Sequence, residues 1–188
     1  DETIAQGIFD RIVEQAIGAG LVDGTVLYTD STHLKANANK GKYDFAMVAK
    51  SRADYWGELD RAIEAERALH GQKPLKGKER KPPQKQTKVS RADPEAGYMV
   101  REGKPKGFFY LDHRTVDGRC GIITDTFATP ANVHDSIVYL GRLDRQVERF
   151  GFTVAAAGLD AGYATPGIAK GLEDRKIGGV IGYRNPTP

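Results

Sequence analysis

Residues 26–40 read VLYTDSTHLKANANK, and residues 157–163, far downstream, read AGLDAGY. In each stretch one carboxylate, Asp30 or Asp160, stands where an apolar, β-rich run gives way to a polar turn. Strand ends of this kind present acidic side chains to hard divalent cations, which prefer oxygen ligands. A single such Asp is more often a turn former or a helix cap. The pair predicts half of a metal site.

The rest of the pattern predicts an α/β fold with a mixed sheet. Apolar residues at helical spacing predict helices over 1–20, 51–69, 132–150 or 134–150, and 166–175. Runs rich in β-formers predict strands over 25–31, 98–101, 107–115, 121–127, 153–159 and 179–183. The strands between 98 and 127 are joined by the short turns of an antiparallel meander, and helices and strands alternate after it. We expect one domain over 1–188, with a helical and basic insertion at 36–96 after the first strand.

Positive charge is concentrated in one short segment. The chain has a net charge of +3, yet residues 71–91 hold eight Lys or Arg residues against the single acid Glu79. Three prolines oppose a helix there, so the segment is expected to be extended and too polar to bury itself. Such a segment is typical either of contact with a polyanion or of a solubilising linker. The candidate polyanion-binding residues are Lys73, Lys76, Lys78, Arg80, Lys81, Lys85 and Lys88.

Composition excludes several other classes of protein. No apolar run approaches the roughly 18 residues that a membrane span needs, and no signal peptide opens the chain, so we expect a cytoplasmic protein. The lone Cys120 makes neither an internal disulfide nor a thiolate metal cage, and the four histidines lack zinc spacing. Because the chain opens at Asp1 and closes on a proline-rich stub, we also expect it to be a fragment.

Three motifs resemble landmarks of bacterial insertion-sequence transposases of the DDE type. They are DSTHLKANANK at 30–40, ATPANVHDS at 128–136 and LDAGYAT at 159–165. They occur in the family order over most of the chain. The resemblance implies an RNase H-like catalytic domain in which the strand of Asp30 is central and the strand of Asp160 lies beside it.

The resemblance also implies an activity. Such enzymes hydrolyse phosphodiester bonds at the element ends and transfer the strands into a target, with two Mg²⁺ or Mn²⁺ ions as cofactors. Carried over by position, Asp30 is the first catalytic acid and Asp160 the second, and the third, a glutamate, is expected beyond residue 188. The implied partners are double-stranded DNA and a second copy of the chain in a homodimer, and the implied location is the bacterial nucleoid.

Polar residues near the two acids are candidates for a supporting shell. Thr32, His33 and Lys35 follow Asp30 and either contact phosphate or form a solvated loop. The later candidates are Asn132, His134 and Asp135. Their alternative role is structural, with Asn132 capping a helix and Asp135 complementing its dipole.

Two other functions remain open on the sequence. The first is a degenerate or domesticated transposase that binds DNA without cutting it. The second is an RNase H-like nuclease whose third acid is Glu173, on the helix after Asp160. Asp112 and Asp125 are possible spare ligands that we expect instead to pair across strands with Arg114 or Arg119, or to be exposed.

Overall fold

The computed structural model describes residues 2–49, 84–100 and 105–183, together with residues 71, 73 and 103. The chain divides into two compact units. The first, here called the sheet unit, comprises Asp1–His33, Leu111–Thr129 and Val138–Pro188. The second, the insertion unit, comprises Leu34–Tyr110 and Pro130–Ile137. The helix expected over 51–69 lies outside the described residues.

Helices and strands alternate in the second half of the chain, as predicted. The described helices are α1 (Glu2–Gly18), α2 (Asp135–Phe150) and α3 (Pro166–Asp174), with a short 3₁₀ helix at Ala161–Tyr163. The described strands are β1 (Val26–Lys35), β2 (Tyr43–Ala49), β3 (Gln84–Ser90), β4 (Gly97–Met99), β5 (Gly107–Asp117), β6 (Ile123–Pro130), β7 (Ala156–Leu159) and β8 (Gly178–Ile181). None of the described helices is long and apolar enough to cross a membrane.

The main sheet is mixed, with β1 near its centre. Its strand order is β4-β5-β1-β7-β8, and β6 also pairs with β5. The strands β1, β7 and β8 run parallel to one another. β4 is antiparallel to β5. Backbone bonds from Gly118 to Val26 and from Ala36 to Phe108 show that β1 and β5 are antiparallel too. The protein is therefore a mixed α/β fold, as expected.

Alternation along β1 and β7 separates an apolar face from a polar one. The side chains of Leu27, Ala157 and Leu159 are buried in the main hydrophobic core. Helices α2 and α3 cover this face, because their buried residues, among them Leu143 and Leu172, belong to the same core. Successive strand residues point to opposite sides of a sheet. Asp30 and Asp160 therefore project from the face opposite to α2 and α3.

β1 begins at a turn that a buried carboxylate holds in place. Asp117, at the end of β5, accepts hydrogen bonds from the backbone N–H groups of Gly24 at 2.8 Å and Asp23 at 3.3 Å. Gly24 has a φ of +67°, a conformation that favours glycine. Its missing side chain also leaves room for Phe152, whose ring would lie 2.2 Å from a Cβ at this position. These contacts fix where β1 enters the sheet.

Two expectations about the first half of the chain were wrong. β1 extends to Lys35 instead of ending at Ser31, because β5 continues beside it and satisfies its backbone groups. Residues 43–49, to which the sequence assigned no helix or strand, and residues 84–90, expected to be extended and too polar to bury themselves, form an antiparallel ribbon, β2–β3, with Tyr43 opposite Ser90 and Ala49 opposite Gln84. Backbone pairing thus orders a segment whose polar composition argued against regular structure.

Buried ion pairs connect α1, β6 and α2 in the sheet unit. The Asp125 carboxylate accepts hydrogen bonds from Arg142 at 2.8 and 2.5 Å and contacts Arg145 at 3.4 Å. Arg145 also binds both oxygens of Asp10, at 2.9 and 2.8 Å. The expected pairing of Asp125 with Arg114 or Arg119 was therefore wrong, because helix α2 supplies its partners. Asp112 does pair with Arg114, but along the same strand.

Candidate active site

Parallel pairing brings Asp30 and Asp160 side by side. The register of β1 and β7 runs from Val26 opposite Ala156 to Thr29 opposite Leu159, so Asp30 and Asp160 are the next residues in the same register. Neighbouring strands lie about 4.8 Å apart, and Mg–O bonds are about 2.1 Å long. Two carboxylates in this arrangement can share one divalent cation. The predicted neighbourhood of the two strands is confirmed, although Asp30 lies inside β1 and not at its end.

Each carboxylate is anchored locally by one backbone N–H group. Asp160 caps the short 3₁₀ helix, and its Oδ1 accepts a hydrogen bond from Gly162 at 2.7 Å. Asp30 Oδ1 accepts one from Ser31 at 2.7 Å. Both residues are exposed to solvent. An ionised carboxylate has two oxygens with about four lone-pair sites, so these bonds leave capacity for a cation.

The two acids line an open cleft of about 620 Å³ on the polar face of the sheet. Tyr28 and Gly158 lie opposite each other, each two residues before one of the acids and on the same face of the sheet. Both residues line the cleft. The Tyr28 ring lies directly over Gly158, since a Cβ at Gly158 would be 2.5 Å from Tyr28 Cδ1. Gly158 thus lets an aromatic ring lie flat against the sheet beside the two carboxylates.

Arg114 is a cleft residue to which sequence reasoning gave no functional role. The β1–β5 register set by Gly118 and Val26 places Arg114 opposite Asp30, and the Thr29–Thr115 hydroxyl contact of 2.8 Å agrees with that register. Arg114 lines the same cleft as the two acids. The alternation Asp112–Arg114 in the sequence shows that the two share a face. It does not show which strand lies beside them, so Arg114 was missed.

A buried carboxylate holds the Arg114 guanidinium in place. Asp112 Oδ2 accepts hydrogen bonds from Arg114 Nε at 2.7 Å and pairs with its terminal nitrogen at 2.6 Å. Asp112 is itself buried, and its other oxygen accepts a 3.2 Å hydrogen bond from the Thr126 hydroxyl. This chain of contacts restricts the guanidinium on the face that carries Asp30. The cleft therefore combines two carboxylates with one oriented cation.

The three predicted supporting residues that follow Asp30 lie in different places. Thr32 lines the cleft with the acids. His33 is at an odd position of β1, where side chains point to the other face. Lys35 lines a different cleft, of about 390 Å³, with Lys40 and Lys106 in the insertion unit. Of these three residues, the structure brings only Thr32 into the cleft of Asp30 and Asp160.

Asn132, His134 and Asp135 lie in the insertion unit, at the start of α2. The helix begins at Asp135, next to His134, the later of the two starts that the sequence allowed. His134 precedes the first helical residue, and its Nδ1 contacts the Ser136 hydroxyl at 2.8 Å. Asn132 instead lies against Gly97, where a Cβ would be 2.4 Å from its Oδ1. Asp135 is in the first turn of α2, the position in which a carboxylate complements the helix dipole.

The candidate DNA-binding residues are only partly described. Lys76, Lys78, Arg80 and Lys81 lie outside the described residues. Lys73 is exposed, and Lys85 belongs to β3. The Lys88 ammonium lies over two aromatic rings, 4.0 Å from the Tyr43 centroid and 4.9 Å from that of Tyr98.

The described residues supply two acids at the cleft. Within them, no group of three or more His, Cys, Asp or Glu residues is arranged to hold a metal ion. Glu173, the alternative third acid, lies on α3, where Lys170 approaches it to 4.0 Å. Ile168 and Leu172 of the same helix are buried in the core with Leu159, so α3 covers the face opposite to the two acids. The position of Glu173 does not favour a role beside them.

Comparison with known proteins identifies no relative. The chain matches no protein-family model, and searches among curated proteins and solved structures found no significant match.

Proposed function

We propose that this chain is the catalytic domain of a DDE-type DNA transposase with an RNase H-like fold. Its activity would be metal-dependent hydrolysis of phosphodiester bonds at insertion-sequence ends, followed by strand transfer. The observation that carries the proposal is the pairing of β1 with β7, whose register makes Asp30 and Asp160 neighbours on one face. The two acids come from the motifs that carry the transposase resemblance.

The sheet topology supports the same proposal. In the order β5-β1-β7-β8, the strand of Asp30 is internal and the strand of Asp160 lies beside it. This is the arrangement that the resemblance implies for an RNase H-like domain. Antiparallel strands precede α2, and parallel strands and helices alternate after it, which agrees with the order expected from the sequence.

The donor set at the cleft fits a hard divalent cation. Carboxylate oxygens are preferred by Mg²⁺ and Mn²⁺, and Asp30 and Asp160 would hold such ions together with a glutamate from elsewhere in the protein. Two bound ions supply activation of a nucleophile and neutralisation of charge on the leaving oxygen. Arg114 would bind a non-bridging oxygen of the reacting phosphate, because its guanidinium is oriented by Asp112 and lines the same cleft.

One observation favours a second candidate function. The described residues contribute two acids to the cleft and no third, as expected for a degenerate or domesticated relative that holds DNA without cutting it. The RNase H-like nuclease has less support, because Glu173 belongs to the helix on the opposite face. Binding without cleavage is therefore the main alternative.

Nicking of supercoiled plasmid DNA in Mn²⁺ separates these functions. We expect the 188-residue chain to nick poorly or not at all, because two carboxylates do not fix both ions of an in-line displacement. A longer form that supplies the expected glutamate to the cleft, here called the extended form, is expected to nick efficiently. An extended form that binds DNA and never nicks it would favour the DNA-holding relative. Efficient nicking by the short chain that is lost on Glu173→Gln would favour the nuclease.

Replacing Arg114 with glutamine is expected to slow nicking by the extended form about 10²-fold, the typical cost of removing one preorganised donor to a developing charge. Mn²⁺ affinity should stay the same or rise, because a cation is removed from beside the acids. Arg119→Gln is the matched control, since the Arg119 side chain is 55% exposed, against 53% for Arg114, and pairs with Asp23. Equal losses in both variants, or loss of Mn²⁺ affinity in Arg114→Gln, would contradict this role.

A further inference from the structure

The β2–β3 ribbon has an apolar face that is open to solvent. Its register places Phe45 opposite Lys88 and Met47 opposite Gln86. Side chains opposite each other in an antiparallel pair project from the same side, so these residues share one face with Tyr43, here called the Phe45 face. Phe45 is 60% exposed and Met47 is 61% exposed. Large apolar side chains this exposed on neighbouring positions are typical of a binding surface.

A fixed positive charge lies within this face. The Lys88 ammonium lies over the Tyr43 ring, which in turn packs edge-on against Phe45 with the ring centroids 5.3 Å apart. Its hydrogen bond with Tyr43 raises the pKa of Lys88, so the side chain stays charged at neutral pH. The face therefore presents two apolar side chains beside a cation whose position is set by aromatic contacts.

The acidic charge of the ribbon is neutralised on its other face. Asp44 is the single acidic residue in the sequences of β2 and β3. Arg91 binds both of its oxygens, at 2.7 and 3.0 Å. Over residues 40–49 and 84–93 the basic residues are Lys40, Lys42, Lys85, Lys88 and Arg91, against the two acids Asp44 and Asp93. The ribbon as a whole is thus positively charged and complements a polyanion.

We propose that the Phe45 face binds duplex DNA, with Phe45 and Met47 placed against base steps and Lys88 on a neighbouring phosphate. The choice of DNA as the polyanion rests on the proposed function. A two-stranded ribbon fits a DNA groove, and Phe and Met are among the side chains that proteins wedge between base steps. A protein partner fits less well, because lysine is depleted from the centres of protein interfaces. The inference adds a DNA contact in the insertion unit.

Fluorescence anisotropy with a short labelled duplex of mixed sequence tests the proposal on the 188-residue chain. The double variant Phe45→Ala/Met47→Ala should bind the duplex about tenfold or more weakly, the scale of losing one or two base contacts. The matched control is Ile4→Ala/Ile8→Ala on α1, which removes two apolar side chains that are 63% and 57% exposed and should leave affinity unchanged. Nicking by the extended form is measured in parallel, so a protein that never nicks but still loses duplex affinity in the double variant separates failure of the proposed activity from failure of this contact.

A second readout covers the case in which the double variant perturbs the ribbon. In Phe45→Trp/Trp56→Phe the introduced indole is the one tryptophan of the chain, and its emission should be quenched when duplex is added, because bases would stack against it. Unchanged affinity of the alanine variant would overturn the proposal, as would an indole that does not respond to DNA. If the alanine substitutions instead abolish self-association and spare DNA binding, the face is a protein interface and the proposal is wrong.

Discussion

Replacement of Asp30 or Asp160 by asparagine is expected to abolish nicking by the extended form and to lower the Mn²⁺ affinity of either form at least about 100-fold. Removing a residue that only supports a metal ligand lowers metal affinity about 10–100-fold. Removing a ligand itself lowers the affinity further. An amide is neutral, so it is a weaker ligand than a carboxylate for a hard cation. Its oxygen can still accept the backbone hydrogen bonds that Ser31 and Gly162 donate at these positions, so the fold should be preserved.

Isothermal titration with Mn²⁺ and the plasmid assay measure the two effects, and thermal unfolding confirms that each variant is folded. Asp174→Asn is the control, because Asp174 is an exposed acid of the sheet unit that pairs with Lys170 on α3. Normal Mn²⁺ affinity and efficient nicking in both Asp30→Asn and Asp160→Asn would rule out the assigned site. Loss of affinity in one variant alone would mean that the two acids do not share a cation.

Arg142→Ala is expected to lower the free energy of unfolding by about 3–5 kcal/mol, the typical cost of removing one partner of a buried ion pair. The Asp125 side chain is 3% exposed, and its carboxylate would keep only the longer contact with Arg145, at 3.4 Å. Denaturant unfolding measures the loss. Arg175→Ala is the control, since Arg175 pairs with Asp144 near the surface and such pairs contribute about 0–1 kcal/mol. Similar losses in both variants would contradict this account.

The cost of Arg142→Ala should also depend on pH. Burial raises the pKa of Asp125 above its ordinary value of 3.8, while Arg142 opposes that shift. A raised pKa means that the folded protein binds this proton more tightly than the unfolded chain does. The contribution of Asp125 to stability is therefore present at low pH and is lost as the pH rises through the folded pKa. We expect the difference in the free energy of unfolding between wild type and Arg142→Ala to become smaller in acid, because a protonated, neutral Asp125 is no longer stabilised by the charge of the guanidinium.

Local sequence predicted where the helices and strands occur better than it predicted which strands pair with each other. The acids Asp30 and Asp160 were placed on strands because each follows a short apolar run, and such a run marks a strand whichever strands lie beside it. That the two strands are neighbours was implied only by the resemblance to DDE transposases. The length of β1 was underestimated because Ser31 to Lys35 are polar, and their strand conformation depends on β5, more than 70 positions away in the sequence. The β2–β3 ribbon was missed for the same reason, since its pairing joins residues 43–49 to residues 84–90.

Arg114 shows how this limit affects the site. Its strand was predicted correctly, and it does pair with Asp112, although along the same strand and not across strands as expected. Its place beside Asp30 depends on the register between β1 and β5, which no short stretch of sequence encodes. A shift of one residue would turn Arg114 to the opposite face of the sheet. The registers between distant strands therefore determine which polar side chains lie close together. Sequence patterns alone did not determine these registers.

The pairing of β1 with β7 affects how the protein folds during its synthesis on the ribosome. Asp30 and Asp160 are 130 positions apart, the difference between their numbers. At a synthesis rate of about 5–20 residues per second, roughly 7–26 s pass between the appearance of the first acid and the second. Contacts between such distant segments also form slowly, because a long loop must close first. A nascent chain therefore carries Asp30 for many seconds without its partner, and the cleft is assembled only after synthesis has passed Asp160.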